Sequence, residues 1–368
     1  MQKKKILIVS AGFYPQNSPR SFRTTELAKE FARQGHSVKV ITPKIPLVHN
    51  DFEKNHGIII KDMGKQRWKT VNLSRKAVAR LIQRFIVRVS LLLFEYPNIE
   101  LFWMVKRALI NESGYDLLIS VAVPYPVHWG VAGIRSESHQ IAKIWVADCG
   151  DPYMGRENDT FKVPFYFGFV EKWFMRKTNY ISVPTIGAIE AYFPEFREKI
   201  KVIPQGFKFE EYHFNNEEVK NKKPIFAYAG MFIPGRRDPS EFLEFLRKQD
   251  MDYEFHIYTK TPHLVTNQAG DLRGKVKVHD PVPRHELLHI LSRMNFLVNF
   301  ENIGSKQTPS KVIDYLILKK PILSIKTGEF NEEIVNEFLS GNYGRKMLIE
   351  NPDQYRIENV CNKFLQLS

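Results

Sequence analysis

The run Lys5-Ile-Leu-Ile-Val-Ser10 constrains the fold more than any other stretch of the chain. It is apolar on both faces and of strand length, as expected for a parallel strand covered by helices on both sides. A turn-rich stretch follows, Gly12-Phe-Tyr-Pro-Gln-Asn-Ser-Pro19. A helix is then expected over about 21–34, with Leu27, Ala28, Phe31 and Ala32 on one face and Gly35 as its stop. Residues 37–42 form the next strand. Strand, helix, strand in so short a span is a βαβ unit, which predicts an α/β fold with a parallel, doubly wound sheet. Apolar runs at 116–122, 142–147 and 180–184 continue the pattern.

Residues 208–223 interrupt it, being polar and without a strand period, and read as a linker or surface loop. Alternation restarts at 224–229, with further strands near 253–259, 275–279, 296–300 and 321–325. Helices fall near 239–249, 284–293 and 309–318. A chain of 368 residues is long enough for two cores. The reading is two doubly wound domains facing a cleft, residues 1–203 and 204–351, with a C-terminal helix in 352–368 packing back on the first. Ligands of such sheets gather beyond the carboxyl ends of the strands, which here means the loops facing that cleft.

Composition narrows the function classes. With 43% hydrophobic and 26% charged residues, disorder, collagen-like repeats and coiled coil are excluded. Two distant cysteines, Cys149 and Cys361, exclude a disulfide framework and a Cys-rich zinc site and fit a reducing cytosol. The net charge of +14 is concentrated in residues 1–200, which hold 30 basic and 18 acidic side chains, so an anionic partner is expected there. The Lys3-Lys4-Lys5 start runs into too short an apolar stretch for a signal peptide. The apolar stretch from Phe85 to Phe94 contains Arg88 and is shorter than the ~20 residues of a bilayer span, so a soluble protein is expected.

The sharpest local signal is Gln307-Thr-Pro-Ser-Lys-Val-Ile-Asp-Tyr315. Thr308 and Pro309 suit the start of a helix, yet Lys306 and Lys311 put cations at its positive end. An anionic ligand such as a pyrophosphate removes that conflict, with the helix amides, Ser310 and Lys311 facing it and Asp314 one turn on to accept from ribose hydroxyls. A capped core helix with a Lys311–Asp314 surface pair is the plainer alternative. The arrangement recurs at Gly230-Met-Phe-Ile-Pro-Gly-Arg-Arg-Asp-Pro-Ser240, where Arg236 and Arg237 sit beside another helix start. Arginine grips phosphate bidentately, though the pair would also suit a solvated turn. Asp250-Met-Asp252 matches an Asp-x-Asp metal motif but precedes a strand at its amino end, so a solvated turn is expected and no metal site. The Gly12 loop lacks Gly-x-Gly-x-x-Gly, which argues against a dehydrogenase.

Together these segments resemble a family-4 glycosyltransferase of the GT-B architecture, of the kind that builds bacterial surface polysaccharide. Ile6–Ser10, the loop to Arg23, Glu26-Leu-Ala-Lys and Gly35–Thr42 are similar to that family's first βαβ unit. Val202-Ile-Pro-Gln-Gly206 resembles its domain junction, Ala229–Pro239 its donor diphosphate loop, and Thr308–Leu316 the helix that holds the nucleotide sugar. The chain departs from the pattern at Lys306, where the family places the first of an acidic pair, and at Met231, where an arginine is usual. The resemblance implies two Rossmann-like domains and metal-independent transfer with retention, from a UDP- or GDP-linked sugar with no other cofactor. Arg236, Arg237, Ser310 and Lys311 would hold the diphosphate and Asp314 the ribose. His128, in Ser120-Val-Ala-Val-Pro-Tyr-Pro-Val-His128, stands where the family brings a histidine to the reaction centre, although a structural histidine is equally compatible with the residues. Asp148, closing the next strand in Asp148-Cys-Gly-Asp151, is the second catalytic candidate; these carboxylates would bind acceptor hydroxyls, or Asp151-Pro152 only caps a turn.

Residues 61–107 carry eleven Lys or Arg and three acids. From Arg75 the apolar positions repeat at three- and four-residue steps while Arg80, Arg84 and Arg88 form another stripe, the pattern of a basic amphipathic helix on an anionic membrane. An ordinary domain helix is the alternative, and no nucleic-acid module accompanies the charge. The expected protein is therefore a cytoplasmic glycosyltransferase peripherally bound to the inner membrane face, with a lipid-linked saccharide as acceptor and no nucleic-acid partner. Its rivals are a GT-B-type nucleotide-sugar epimerase, and a membrane- or polyanion-binding scaffold on a decayed transferase fold.

Overall fold

A computed structural model describes residues 2–69, 77–155, 161–211, 221–266, 270, 272, 274–301 and 310–368. The chain divides into two compact units, Met1–Lys208 with Gln354–Ser368, and Phe209–Asp353.

The first unit is built on a parallel seven-stranded sheet of β1 (Lys5–Ser10), β2 (Ser37–Thr42), β3 (Ile59–Asp62), β4 (Tyr115–Ala122), β5 (Ala142–Cys149), β6 (Tyr180–Val183) and β7 (Ile200–Val202). Its order is β3-β2-β1-β4-β5-β6-β7. Residues 6–9 of β1 are fully buried because successive side chains enter different cores. Leu7 and Val9 join one, Ile6 and Ile8 the other. Helix α1 (Pro19–Arg33) starts where Ser18 Oγ accepts from the Ser21 N–H and stops at Gly35, whose φ of +86° is free only to glycine. Five further helices lie in the first stretch of the unit: α2 (Pro46–His56), α3 (Ala77–Phe94), α4 (Glu100–Leu109), α5 (Pro126–Ile134) and α6 (Tyr166–Lys177). Helices α4 and α5 pack closely at Gly130, where an added Cβ would come 2.6 Å from Val105 Cβ.

The second unit holds a parallel five-stranded sheet of β8 (Ile225–Ala229), β9 (Glu254–Tyr258), β10 (Val276–His279), β11 (Phe296–Phe300) and β12 (Ile322–Ile325), in the order β10-β9-β8-β11-β12. Phe226 of its central strand stacks between Phe255 and Phe296, with ring centroids 4.9 and 4.5 Å away. Helices α7 (Ser240–Arg247), α8 (Arg284–Leu291), α9 (Ser310–Leu318) and α10 (Glu332–Leu339) cover it. The chain then returns to the first unit as α11 (Ile357–Leu365), whose Ile357, Val360, Cys361 and Phe364 enter the core beneath α1. At the return point Phe207 N–H donates to the Tyr355 carbonyl at 2.9 Å and Ile357 N–H to the Phe207 carbonyl at 3.0 Å.

The amphipathic reading from Arg75 holds from Ala77, where the described helix begins; Arg75 itself lies outside the described residues. Among the described side chains of α3 none is buried, and Val78, Leu81, Ile82, Phe85 and Ile86 are exposed beside Arg80, Arg84 and Arg88. An ordinary domain helix buries its apolar stripe, and this one does not. No helix among the described residues is long and apolar enough to cross a membrane.

Candidate functional site

In open parallel sheets the crevice where the strand order reverses collects ligands. In the second unit that point lies between β8 and β11, so the loop after β8 and the start of α9 bear on it. The chain leaves β8 through Gly230, whose N–H donates to the Tyr258 carbonyl at 3.0 Å. A Cβ there would come 2.5 Å from Tyr228 Oη. Ile233 and Arg237 then pair across a turn made possible by Gly235 at φ +69°. Neighbouring loops pin this turn: Thr261 Oγ1 accepts from the Phe232 N–H at 3.1 Å, and Thr327 Oγ1 donates to the Arg236 carbonyl at 2.5 Å. Asp238 accepts from the Ser240 N–H at 3.0 Å and from Ser240 Oγ at 2.6 Å, fixing the start of α7. Burial would raise the Asp238 carboxyl, but these bonds hold it below its ordinary value.

Arg236 and Arg237 thus ride on a loop fixed by its neighbours, both only half-buried. The Tyr228 hydroxyl is pushed up to about 12 by burial, against the opposing pull of the nearby Arg237 guanidinium. Helix α9 is tied to the same end of the sheet, because Tyr315 Oη accepts from the Ala229 N–H at 3.1 Å. Residues 302–309, including Lys306 and Thr308, lie outside the described residues, as do the side chains of Ser310 and Lys311.

Asp314 calls for a correction. It does not stand as a surface carboxylate: it is buried, and Arg284 at the start of α8 donates to its Oδ1 from Nε at 2.9 Å and Nη2 at 2.6 Å. Sequence reading missed Arg284, although Pro283-Arg284 opens a helix with a cation just as Arg236 and Arg237 do. Glu301, beyond β11, accepts from Ser324 Oγ at 2.7 Å, which ties it to β12.

In the first unit the order reverses between β1 and β4. Beside that point Arg20 pairs with the half-exposed Asp151 at 3.2 Å, its guanidinium laid over Gly150 where a Cβ would come within 1.7 Å. The two catalytic candidates sit deeper. His128 is fully buried, its ring stacked 5.4 Å from Phe174. Ser120 Oγ accepts from Trp145 Nε1 at 2.8 Å and is hydrogen-bonded to His128 Nδ1 at 2.7 Å. The other ring nitrogen, Nε2, lies 3.4 Å from Cys149 Sγ. Burial lowers the pKa of His128 to about 3, Asp148 opposing only in part. The structure therefore places this ring in the core, without a face presented to solvent.

Asp148 is buried as well, gripped at both oxygens by Arg23, with Nε to Oδ2 at 3.0 Å and Nη2 to Oδ1 at 2.8 Å. Ser182 Oγ adds a 2.7 Å bond. Arg23 also donates to the carbonyls of Ile203 and Pro204 and lies over the Phe364 ring. Burial would raise the Asp148 carboxyl, but the Arg23 charge and these hydrogen bonds bring it below its ordinary value. The carboxylate joins β5, β6, the 203–204 segment and α11, and its oxygens are turned to these partners and not to a hydroxyl-bearing ligand.

No protein-family model and no curated protein matches the sequence. Solved structures match it over nearly its whole length. A glycosyltransferase from Rickettsia africae ESF-5 aligns with a TM-score of 0.58 at 12% identity, over 99% of this chain and 94% of that one. Anabaena HepE in complex with UDP aligns at 0.61 and 10% identity, over 98% of each chain. TarM aligns at 0.62 and 11% identity, over 100% and 99%. At such identities the likeness is one of fold: the chain has the two Rossmann-like units of the GT-B architecture.

Proposed function

We propose that the protein transfers a sugar from a nucleoside-diphosphate donor, held by the second unit, to an acceptor held by the first. The pinned loop carrying Arg236 and Arg237 at the reversal point of the second sheet carries this reading. As the bond from the anomeric carbon to the diphosphate breaks, negative charge grows on the leaving phosphate, and two guanidiniums on a rigid loop stabilise it without rearranging. The α9 amides, Ser310 and Lys311 would add to this field. Because side chains supply the positive charge, the transfer is written without a metal ion, and the family resemblance implies retention at the anomeric carbon. The UDP in the HepE structure supports a nucleotide donor of this kind. His128 and Asp148 are assigned to shaping the carboxyl ends of β4 and β5, on which the partly exposed Arg20–Asp151 pair would meet the acceptor.

The exposed apolar row and arginines of α3 support an acceptor presented at an anionic membrane, such as a lipid-linked saccharide in surface-polysaccharide assembly, with the protein docked on the cytoplasmic face. The same row disfavours a free nucleotide-sugar epimerase, which needs no membrane.

Calorimetric titration with UDP and GDP tests the donor site. One of the two is expected to bind and to raise the melting temperature by mass action. Arg237→Ala is expected to weaken that binding by roughly 10- to 100-fold, the loss of a charge-assisted phosphate contact worth about 1.5–3 kcal/mol, with melting of the free protein unchanged. Absence of heat and of thermal shift with both nucleotides would leave the scaffold reading in its place.

A further inference from the structure

A cavity of about 470 Å³ lies on the outer face of α4. Helix α4 buries Leu101, Met104, Val105 and Leu109 against the sheet and turns Trp103, Arg107 and Ile110 outward. These outward residues, with Lys106, line the cavity, and Ile134 at the end of α5 closes one side. Arg67 and Trp68, from the segment after β3, close the other. The loops at the reversal point of the first sheet contribute none of the lining, so the cavity is separate from the region assigned to the acceptor.

Its chemistry is divided in a particular way. Arg67, Lys106 and Arg107 make no ion pair among the described residues. The one carboxylate of the lining, Glu100, is buried and already engaged: it accepts from the backbone N–H of Arg67 at 2.8 Å and of Trp68 at 2.7 Å. Glu100 thus builds the site by holding the 67–68 segment on α4, and the lining keeps an excess of positive charge. The same lining holds the half-exposed indoles of Trp68 and Trp103, 5.6 Å apart, and two isoleucines, Ile110 and Ile134. Trp68 also stacks at 5.7 Å on Tyr96, just past the end of α3, so the cavity adjoins the foot of that exposed helix. Cations, amphipathic rings and apolar side chains in one lining are the three kinds of group that meet the phosphate, interface and acyl chain of a bilayer surface.

We propose that this cavity seats the phosphate headgroup of an anionic phospholipid, a second point of membrane contact beside α3. The proposal rests on the membrane reading of α3 given above, and not on glycosyl transfer. Phosphate oxygens meet Arg67, Lys106 and Arg107, the indoles lie at the interface, and Ile110 and Ile134 face the first methylenes.

Vesicles of phosphatidylcholine with about one-third phosphatidylglycerol carrying brominated acyl chains test it, with sedimentation and tryptophan emission read together. Trp68 and Trp103 are the exposed tryptophans, whereas Trp129 and Trp145 are buried. Wild-type protein is expected to sediment with the vesicles and to be quenched. Trp68→Phe/Trp103→Phe should sediment but lose most of the quenching. Lys106→Glu/Arg107→Glu should weaken partitioning by about tenfold or more, each cation near such a surface being worth about 1 kcal/mol. Inorganic phosphate should not compete, since the bilayer and not a free ion is the partner. Sedimentation with quenching unaltered by the phenylalanines, or with partitioning unaltered by the glutamates, overturns the cavity and leaves α3 standing. Failure of the wild type to sediment overturns both. Thermal melting of each variant shows that it is folded.

Discussion

Replacing Arg23 with methionine is expected to destabilise the first unit by about 3–5 kcal/mol, the cost of leaving a buried carboxylate without its counter-charge. Asp148 lies in the core with both oxygens bound by that one guanidinium, so no water can replace the lost partner. Arg23→Met/Asp148→Leu should recover most of the loss, because a buried ion pair removed whole is often nearly neutral. All five tryptophans lie within the first unit, so denaturant unfolding followed by their emission reads that unit alone. A single variant as stable as the wild type would mean the pair contributes nothing to the fold.

Acid should weaken the same unit through His128. With a native pKa of about 3 against 6.5 for the free side chain, the folded state binds fewer protons than the unfolded state between those values. Stability from this group is therefore complete above pH 6.5 and is lost as pH falls toward 3, by about 5 kcal/mol in all and about 3 kcal/mol by pH 4. Asp148 acts in the same direction but lower, since a carboxylate held below its ordinary value gives up its contribution only under about pH 4. His36, also lowered by burial, leaves a smaller slope of the same sign. Unfolding curves from pH 7 to 4 for wild type and His128→Gln should diverge, the variant falling much less. Parallel curves would show that the ring is hydrated and free to ionise.

The sequence carried much of the fold, for reasons tied to particular segments. A strand buried on both faces leaves little room for polar residues, so Ile6–Val9 of β1, Leu117–Ile119 of β4 and Phe296–Val298 of β11 are readable as apolar runs. Short β3, and α2, whose start has no side-chain cap, offered no such signal. Helix α3 was readable as amphipathic, but that its apolar row meets no neighbour is a property of the packed structure. The Arg236–Arg237 loop stood out because two arginines at a helix start conflict with the helix dipole unless an anion is near. His128 and Asp148 were not legible in their actual settings: Arg23 of α1, Phe174 of α6 and Ser182 of β6 reach them only through helix packing and strand pairing. Asp314 hid its partner in the same way, Arg284 being delivered by a different helix thirty residues earlier.

The hydrogen bonds joining Phe207 to Tyr355 and Ile357 put the chain's exit and re-entry at one spot on the first unit. Residues 209–353 are in effect a guest spliced into a host at a single address. A host gene rejoined from Lys208 to Gln354 through a few glycines keeps all seven strands and α11, so closing the gap demands little chain entropy. The guest becomes a cassette, and exchanging it for another would leave the host's own interior untouched.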